Sequence, residues 1–268
     1  MSGPERGSAY GLMSWLRDGV AIFRAAFRVR RDPAPLVRLM AAGTVRYLRG
    51  QKVPLGGRAV VEVGTGGGAI AEALASAGAN VVGVDLEDHR LAPMARTSFT
   101  RGRAESLPFA DGAFDGAVTS NVLEHVTDGA AMIGELARVV RPGGFLYLSW
   151  TTWLSPLGGH EMSPFHYLGP RAGLRAYRAV RRHDPPWNVP GRTLFVRHSK
   201  DVLTLIRDRG DLELVDMAPR YWPALRVVRY VPLLGDTLMW NCVLLLRKAP
   251  GAGAAGSARA SRGGTRPG

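Results

Sequence analysis

A glycine-rich segment gives the clearest chemical signal in the sequence. Residues 60–68 read Val-Val-Glu-Val-Gly-Thr-Gly-Gly-Gly, an apolar run that contains Glu62 and then breaks into glycines at Gly64. A buried strand that ends in glycines and leads into a helix lets backbone N–H groups approach a ligand closely. A carboxylate at the ligand end of such a strand could hold a cationic group, but it would repel a pyrophosphate. The segment therefore predicts a nucleotide-binding loop.

The glycine pattern leaves the cofactor open. Gly64, Gly66 and Ala69 satisfy the dinucleotide fingerprint, and Asp85 follows at about the twenty-residue spacing expected of a ribose ligand. Asp85 ends a second apolar run, where its carboxylate could accept hydrogen bonds from both ribose hydroxyls. Its alternative role is to cap the next helix. The loop and the acid alone suit an NAD(P)-dependent reductase as well as other nucleotide-binding enzymes.

Three further motifs resemble those of a known family. Residues 105–115 read Glu-Ser-Leu-Pro-Phe-Ala-Asp-Gly-Ala-Phe-Asp, residues 120–126 read Ser-Asn-Val-Leu-Glu-His-Val, and residues 138–144 read Arg-Val-Val-Arg-Pro-Gly-Gly. Together with the glycine loop, they make residues 58–150 closely resemble a class I S-adenosylmethionine-dependent methyltransferase. The subgroup is the one that includes quinone-biosynthesis enzymes and many small-molecule and glycan methyltransferases. The rest of the chain resembles the family only in outline.

The resemblance implies S-adenosylmethionine as the cofactor and a set of residues that bind it. In the family, the loop that here contains Gly64, Thr65 and Gly66 cradles the methionine part, and the acid at the position of Glu62 helps to bind its ammonium group. The other implied contacts are Asp85 with the ribose, Leu86, Ala104 and Glu105 with the adenine, and Asn121 below the methyl donor.

One position departs from the family pattern. Arg103 stands where the family often has an aspartate that accepts a hydrogen bond from the adenine amino group, and arginine has only donors. Either Glu105 or a backbone carbonyl takes over that contact, or the cofactor binds more weakly. A non-catalytic methyltransferase-like scaffold therefore stays an alternative.

Methyl transfer to a hydroxyl needs an aligned acceptor, exclusion of water and a base. The candidate catalytic residues follow the fourth and fifth predicted strands and are His125, His160, Glu161 and His166. The family often has a histidine at the position of His125 without using it as a base. The other candidates could instead hold their own segment in place. That segment is not a His-Glu-x-x-His motif, and Pro164 would interrupt the helix such a motif needs, so no metal is predicted.

The elements that would position these residues form an α/β pattern. Short apolar runs alternate with helical stretches from residue 58 onward, which predicts a Rossmann-like doubly wound sheet. The predicted strands are 59–63, 80–84, 97–101, 114–119, 144–150, 211–217 and 239–246, and the predicted helices are 68–77, 89–95, 128–139 and 199–209. Asp128 should cap the third helix and Gly210 should end the fourth. The resemblance implies seven mostly parallel strands with an antiparallel last strand.

Additional segments surround the predicted methyltransferase domain, residues 51–248. The N-terminal part, residues 1–50, contains nine arginines against three acids, with helices predicted at 12–27 and 36–48. These helices could form a lid or a membrane-surface element, but packing against the core is favoured. Residues 151–195 and 218–238 exceed ordinary loop length and are rich in aromatic residues, which predicts inserted substrate cover. The Gly-, Ala- and Arg-rich tail, residues 249–268, is predicted to be disordered.

Composition limits the compartment and the partners. The net charge of +13 could attract anionic lipid or acidic glycan, whereas the lack of an RNP-like motif disfavours nucleic acid. Cys242 is the only cysteine, and the sequence shows neither a secretory signal nor a membrane-spanning run. These features predict a cytoplasmic protein that could contact the inner face of the membrane. The favoured reaction is O-methylation of a small molecule, sugar or lipid-linked glycan.

Overall fold

A seven-stranded sheet organises the protein. The computed structural model describes residues 34–89, 97–231 and 235–251. The strands are β1 (Ala59–Val63), β2 (Asn80–Asp85), β3 (Thr97–Arg101), β4 (Phe114–Ser120), β5 (Val140–Thr151), β6 (Leu212–Pro219) and β7 (Asn241–Lys248). Their order is β3-β2-β1-β4-β5-β7-β6, and β7 runs antiparallel to both of its neighbours, whereas the remaining pairs are parallel. The predicted sheet, mostly parallel with an antiparallel last strand, is confirmed.

Helices cover both faces of this sheet. They are α1 (Ala34–Gly50), α2 (Ala69–Ser76), α3 (Gly129–Val139), α4 (Pro170–Arg181), α5 (Ser199–Arg209) and α6 (Gly235–Met239), with 3-10 helices at His160–Met162, Phe165–Leu168 and Pro223–Tyr230. Helices α1 and α2 share one hydrophobic core with Val60, while α3 and α5 share another with Val61. Neighbouring residues enter different cores because side chains alternate across a strand. Helices therefore bury both faces, as in a doubly wound fold.

Local signals for helix ends are confirmed where the structure describes them. The carboxylate of Asp128 accepts a hydrogen bond from the backbone N–H of Ala131 at 2.9 Å, which caps α3. Gly210 follows α5 with a φ of 69°, a left-handed conformation that glycine adopts without steric strain. The predicted helix at 12–27, residues 90–95 of the predicted helix at 89–95, and residues 252–268 of the tail lie outside the described residues.

The start of β5 differs from the prediction. The strand begins at Val140 instead of residue 144, so residues 141–143, which precede the predicted strand, lie inside it. Phe114 of β4 pairs with Val140, but Gly116 pairs with Phe145, so the register shifts across this stretch. Gly143 has a φ of 78° there. The extra residues are accommodated as an irregularity within the strand, because hydrogen-bonded pairing resumes on both sides of it.

Helix α1, which corresponds to the predicted helix at 36–48, packs against the core. Its buried residues include Thr44, Tyr47 and Leu48. The hydroxyl of Tyr47 donates a 2.7 Å hydrogen bond to Oδ2 of Asp216 on β6, and Gln51 donates to the same oxygen at 2.9 Å. The guanidinium of Arg226 donates to both oxygens of this carboxylate, at 3.0 Å to Oδ1 and 2.8 Å to Oδ2. The contacts fix α1 on the sheet, as favoured by the sequence.

The segment between β5 and α5 is an ordered insertion with its own small core. Trp153, Met162, Tyr177 and Leu194 form a buried cluster there. The backbone N–H of Trp153 donates to the carbonyl of Arg197 at 3.2 Å, which joins the two ends of the insertion. Within the part of the chain that the structure describes, no helix has the length and apolar character needed to cross a bilayer.

Candidate active site

The glycine loop follows β1 at the carboxyl edge of the sheet. The backbone N–H groups of Gly64 and Thr65 both donate to the carbonyl of Val84, at 2.8 and 3.1 Å, which ties the loop to β2. Gly64 has a φ of 78°, and a β-carbon there would lie 2.0 Å from Cγ2 of Val122. At Gly66 a β-carbon would meet no described atom within 4 Å. Gly64 is thus required by packing, whereas Gly66 borders open space that a ligand can approach.

Glu62 is a buried acid at the base of this loop, with only 1% of its surface exposed. Its Oε2 accepts a 2.7 Å hydrogen bond from the hydroxyl of Thr65. Burial raises the pKa of the Glu62 carboxyl to about 8, although the bond from Thr65 and the positive charge of Arg220 act in the opposite direction. A carboxyl in this state gains from a cationic partner, so it suits the ammonium group of a ligand.

Asp85 ends β2 and faces the same loop. Its Oδ2 accepts a hydrogen bond from the N–H of Gly66 at 2.8 Å, and its Oδ1 accepts one from the N–H of Leu86 at 2.7 Å. These two bonds fix the orientation of the carboxylate, while each oxygen retains capacity to accept another bond. Leu86 is 62% exposed, which leaves an apolar surface beside the acid. The pair suits a ribose next to a flat base.

The segment predicted to contact the adenine lies next to β3. Ala104 is buried, and the side chains of Arg103 and Glu105 approach each other to 3.8 Å. Arg103 itself is largely exposed, whereas Glu105 is mostly covered. Arg103 therefore interacts with Glu105, which was predicted as one replacement for the aspartate that the family often has at position 103.

Asn121 follows β4 at the centre of the carboxyl edge. Its backbone has a φ of 56°, and its N–H donates to the carbonyl of Ser149 at 2.8 Å. Its side-chain oxygen accepts a hydrogen bond from the amide of Asn241 at 2.7 Å. The side chain is thus held by β7, at the strand end predicted to lie below the methyl donor.

Arg220 is a site residue that the sequence did not reveal. It follows β6, and one guanidinium nitrogen donates to the hydroxyls of Ser120 and Ser149 at 2.6 and 3.0 Å. Another nitrogen donates to the hydroxyl of Thr44 on α1 at 3.0 Å. Its charge lowers the pKa of Glu62 against the effect of burial. In the sequence its only signal was a position three residues after the predicted strand 211–217, inside the predicted insertion 218–238.

Two of the predicted catalytic histidines lie together with an acid that was not predicted. The rings of His125 and His160 have centroids 5.3 Å apart. Potential ligand atoms of Glu124, His125 and His160 all lie within 4.8 Å of one another. Burial lowers the pKa of His160, although the charge of Glu124 opposes this effect. We call these three residues the Glu124 cluster.

The other two candidates are placed differently. Both carboxylate oxygens of Glu161 accept hydrogen bonds from the amide of Asn188, at 3.0 and 2.9 Å, so Glu161 holds the insertion together. His166 is fully buried, and its Nε2 lies 3.0 Å from the carbonyl oxygen of Ser155, to which it donates. Its ring packs on Trp153 and Tyr167. Glu161 therefore holds its own segment in place, which was the alternative to a catalytic role, and Glu124, from the segment after β4, is the acid next to His125 and His160.

Comparisons with known proteins agree with this fold. Residues 61–148 match the family described as "Methyltransferase domain". An "uncharacterized methyltransferase" from Mycobacteroides abscessus is 37% identical over 260 residues, which cover 91% of this chain and 99% of the relative. The chain therefore belongs to the methyltransferase family. This membership separates it from the NAD(P)-dependent reductases that share the glycine loop.

Two solved structures share the fold. An S-adenosylmethionine-dependent methyltransferase from Mesorhizobium loti has a TM-score of 0.55 and 19% identity, over 77% of this chain and 98% of that chain. Magnesium protoporphyrin IX methyltransferase from Synechocystis, solved with bound SAH, has a TM-score of 0.51 and 18% identity, over 79% of this chain and 83% of that chain. These two likenesses show the fold, which is that of S-adenosylmethionine-dependent methyltransferases.

The residues at the carboxyl edge fit this cofactor. The buried carboxyl of Glu62 suits the methionine ammonium, the oriented carboxylate of Asp85 suits the ribose hydroxyls, and the open side of Gly66 admits a close ligand. When bound, S-adenosylmethionine supplies a methyl group that is already activated by a sulfonium. The individual roles of these residues, and of Thr65, Leu86, Ala104, Glu105 and Asn121, stay predictions.

Proposed function

We propose that this methyltransferase methylates a hydroxyl oxygen of a small molecule, sugar or lipid-linked glycan. The observation that supports the proposal is the position of the Glu124 cluster. Val122, which packs against Gly64 of the cofactor loop, lies two residues before Glu124 and three before His125. His160 comes from the insertion that follows β5. The cluster thus combines two residues that closely follow a contact of the loop along the chain with one residue of the insertion.

A hydroxyl oxygen must lose a proton when it gains a methyl group, whereas the sulfonium already supplies a good leaving group. Groups that stabilise the oxygen as its proton leaves are therefore the main chemical requirement on the acceptor side. The imidazoles of His125 and His160 and the carboxylate of Glu124 can supply this function. The insertion contributes by holding the acceptor in line and by excluding water.

The surface of the insertion favours a polar or anionic acceptor with a flat or cyclic part. Trp187 is 76% exposed, and Tyr167 is exposed as well. Helix α4 carries Arg171, Arg175 and Arg181 on its exposed surface. Aromatic faces and guanidinium groups recognise sugars, carboxylates and phosphates without requiring one particular reaction. With a lipid-linked acceptor, the basic residues 1–50 would contact an anionic membrane surface at its cytoplasmic side.

Labelled methyl transfer tests the proposal. The full chain is incubated with methyl-labelled S-adenosylmethionine and fractionated small-molecule, glycan and lipid extracts, and the labelled product is identified by mass spectrometry. We expect an alkali-stable methyl ether in a sugar, glycan or small aromatic product. A labelled amine, thioether or base-labile ester would contradict O-methylation of a hydroxyl. Cofactor binding without transfer to any fraction would favour the non-catalytic scaffold.

A further inference from the structure

The Glu124 cluster has the composition of a metal site as well as that of a proton acceptor. It combines a carboxylate and two imidazoles whose potential ligand atoms all lie within 4.8 Å of one another. The sequence predicted no metal, because residues 160–167 lack a zinc motif. That argument considered Glu161, but the structure instead brings Glu124 to His160, from a different part of the chain. The sequence motif therefore did not test the set of ligands that the fold assembles.

Each side chain of the cluster has a hydrogen-bonding partner in the backbone. Nδ1 of His125 lies 2.8 Å from the carbonyl oxygen of Thr193, and Nδ1 of His160 lies 3.4 Å from that of Gly158. A carbonyl oxygen only accepts, so Nδ1 carries the hydrogen and the lone pair of a neutral ring is on Nε2. Such second contacts are typical of histidines that ligate a metal. In this tautomer Nε2 is the nitrogen of each ring that is available to ligate a metal.

The carboxylate of Glu124 has one oxygen with a partner and one without. Oε1 accepts a hydrogen bond from the N–H of Thr151 at 2.9 Å. Oε2 is buried, and among the described residues no donor forms a hydrogen bond with it. Glu124 as a whole is 1% exposed. A buried oxygen of a carboxylate without a partner is costly, and a bound cation would remove that cost.

The loop that carries Glu124 and His125 is held rigidly. The guanidinium of Arg197 donates to the carbonyls of Leu123 and Val126, at 3.1 and 2.7 Å. The N–H of Phe195 donates to the carbonyl of Glu124 at 2.8 Å. These bonds reach the backbone, so they orient the loop and leave Oε2 of Glu124 without a donor. A rigid set of ligands is what a metal site requires.

We infer that Glu124, His125 and His160 bind a divalent first-row transition metal ion, such as Zn²⁺ or Mn²⁺. Two imidazoles favour these ions over Mg²⁺ and Ca²⁺, which prefer oxygen ligands. Three protein ligands leave coordination positions open for a water or a substrate oxygen.

The role of the ion in catalysis rests on the proposed function. An acceptor hydroxyl bound at an open position would become more acidic, because the cation would stabilise the developing alkoxide. Its proton passes to a solvent base. The oxygen lone pair forms the new C–O bond while the bond between methyl carbon and sulfur breaks, and sulfur keeps that electron pair. The cluster then acts through the ion and not as the proton acceptor itself.

Metal binding to the full chain, after removal of bound metal with a chelator, tests the site directly. Zn²⁺ and Mn²⁺ are titrated separately by calorimetry, and bound metal is counted by elemental analysis after dialysis. The variants are Glu124→Gln, which keeps an oxygen for Thr151, and His125→Ala and His160→Ala. The matched control is His183→Ala, since His183 is exposed and outside the cluster. Circular dichroism verifies that each variant is folded.

We expect one ion per wild-type and His183→Ala chain, and at least about a tenfold loss of affinity in each cluster variant. No binding of either ion by the folded wild-type chain, or equal affinity in all variants, would overturn the inference. Methyl transfer by chelator-treated protein at the wild-type rate would contradict the role of the ion while leaving the proposed function intact. Metal binding without methylation of any hydroxyl would instead contradict the proposed function and leave the metal site intact.

Discussion

The hydroxyl of Thr65 donates a 2.7 Å hydrogen bond to Oε2 of Glu62, inside a site where Glu62 is almost completely shielded from water. The bond favours the ionised carboxylate, but burial outweighs it and raises the pKa of Glu62 to about 8. The acid therefore carries a proton near neutral pH in the protein without cofactor. A cationic ligand next to Glu62 would favour the ionised form and lower its pKa.

The first prediction is that S-adenosylmethionine binding releases a proton from Glu62. At a pH below about 8 the free carboxyl is mainly protonated, and the methionine ammonium should displace that proton. Calorimetry in two buffers with different ionisation enthalpies measures the number of protons released per cofactor bound. Wild type should release a substantial fraction of one proton at neutral pH, and Glu62→Gln should release less and bind more weakly. Thr65→Val is the control, because it removes the hydrogen bond but keeps the acid. Equal proton release by wild type and Glu62→Gln would contradict the assignment.

The second prediction concerns stability without cofactor. The folded state holds the proton of Glu62 up to a pH of about 8, whereas the ordinary value of the carboxyl is 4.5. The protonated carboxyl of Glu62 therefore stabilises the fold fully at a pH below its unfolded pKa. This stabilisation is lost as the pH rises through its folded pKa. Each unit of pKa corresponds to about 1.4 kcal/mol, so the free energy of unfolding should fall by several kcal/mol across this window. Denaturant titrations measure the fall, which should be much smaller in Glu62→Gln. If the free energy of unfolding fell equally with pH in wild type and Glu62→Gln, the fall could not come from the proton of Glu62.

The third prediction separates the two glycines of the loop. Gly64→Ala places a β-carbon 2.0 Å from Val122 and keeps a positive φ, whereas Gly66→Ala faces open space and adds only conformational strain. Gly64→Ala should therefore lose more stability, about 2 kcal/mol or more by overpacking and strain together. Denaturant unfolding gives the difference, and Val122→Ala added to Gly64→Ala should restore part of it. For cofactor affinity we expect the opposite order, with the larger loss in Gly66→Ala, because Gly66 borders the ligand side. Equal stabilities would show that the contact relaxes without cost.

Sequence predicted those features that depend on neighbouring residues. The cap at Asp128, the glycine after α5 and the loop after β1 are each specified by a few adjacent side chains. Arg220 was missed because its partners, Ser120 and Ser149, come from strands far away in the sequence. Glu161 was a catalytic candidate next to His160 in the sequence, yet its carboxylate binds the amide of Asn188. Contacts created by strand order cannot be read from local spacing.

The fourth prediction is that Asp216 stabilises the docking of α1. Burial would raise the pKa of this carboxyl, but hydrogen bonds from Arg226 and Tyr47 outweigh it, so the pKa is lowered. Asp216→Asn replaces a charged acceptor and should reduce the free energy of unfolding by about 1 to 3 kcal/mol near neutral pH. Because its pKa is lowered in the folded protein, Asp216 contributes stability at a pH above its ordinary pKa. This stability is lost as the pH falls through the folded pKa. The difference from wild type should shrink in acid, as measured by denaturant titration. A difference independent of pH would show that the charge is not involved.

The fifth prediction assigns two separable roles to Arg220. Its charge lowers the pKa of Glu62, and its hydrogen bonds join Ser120 to Thr44 of α1. Arg220→Met should therefore move the midpoint of the proton release from Glu62 to higher pH and also reduce stability. Arg220→Lys keeps the charge but cannot make the same forked contacts, so it should lose stability while the midpoint moves less. Calorimetry across pH gives the midpoint, and denaturant unfolding gives the stability.

Asp216→Asn is the matched control, because it weakens α1 docking without changing the charge at Arg220. If all three variants shifted the midpoint equally, the shift would come from α1 and not from the guanidinium charge.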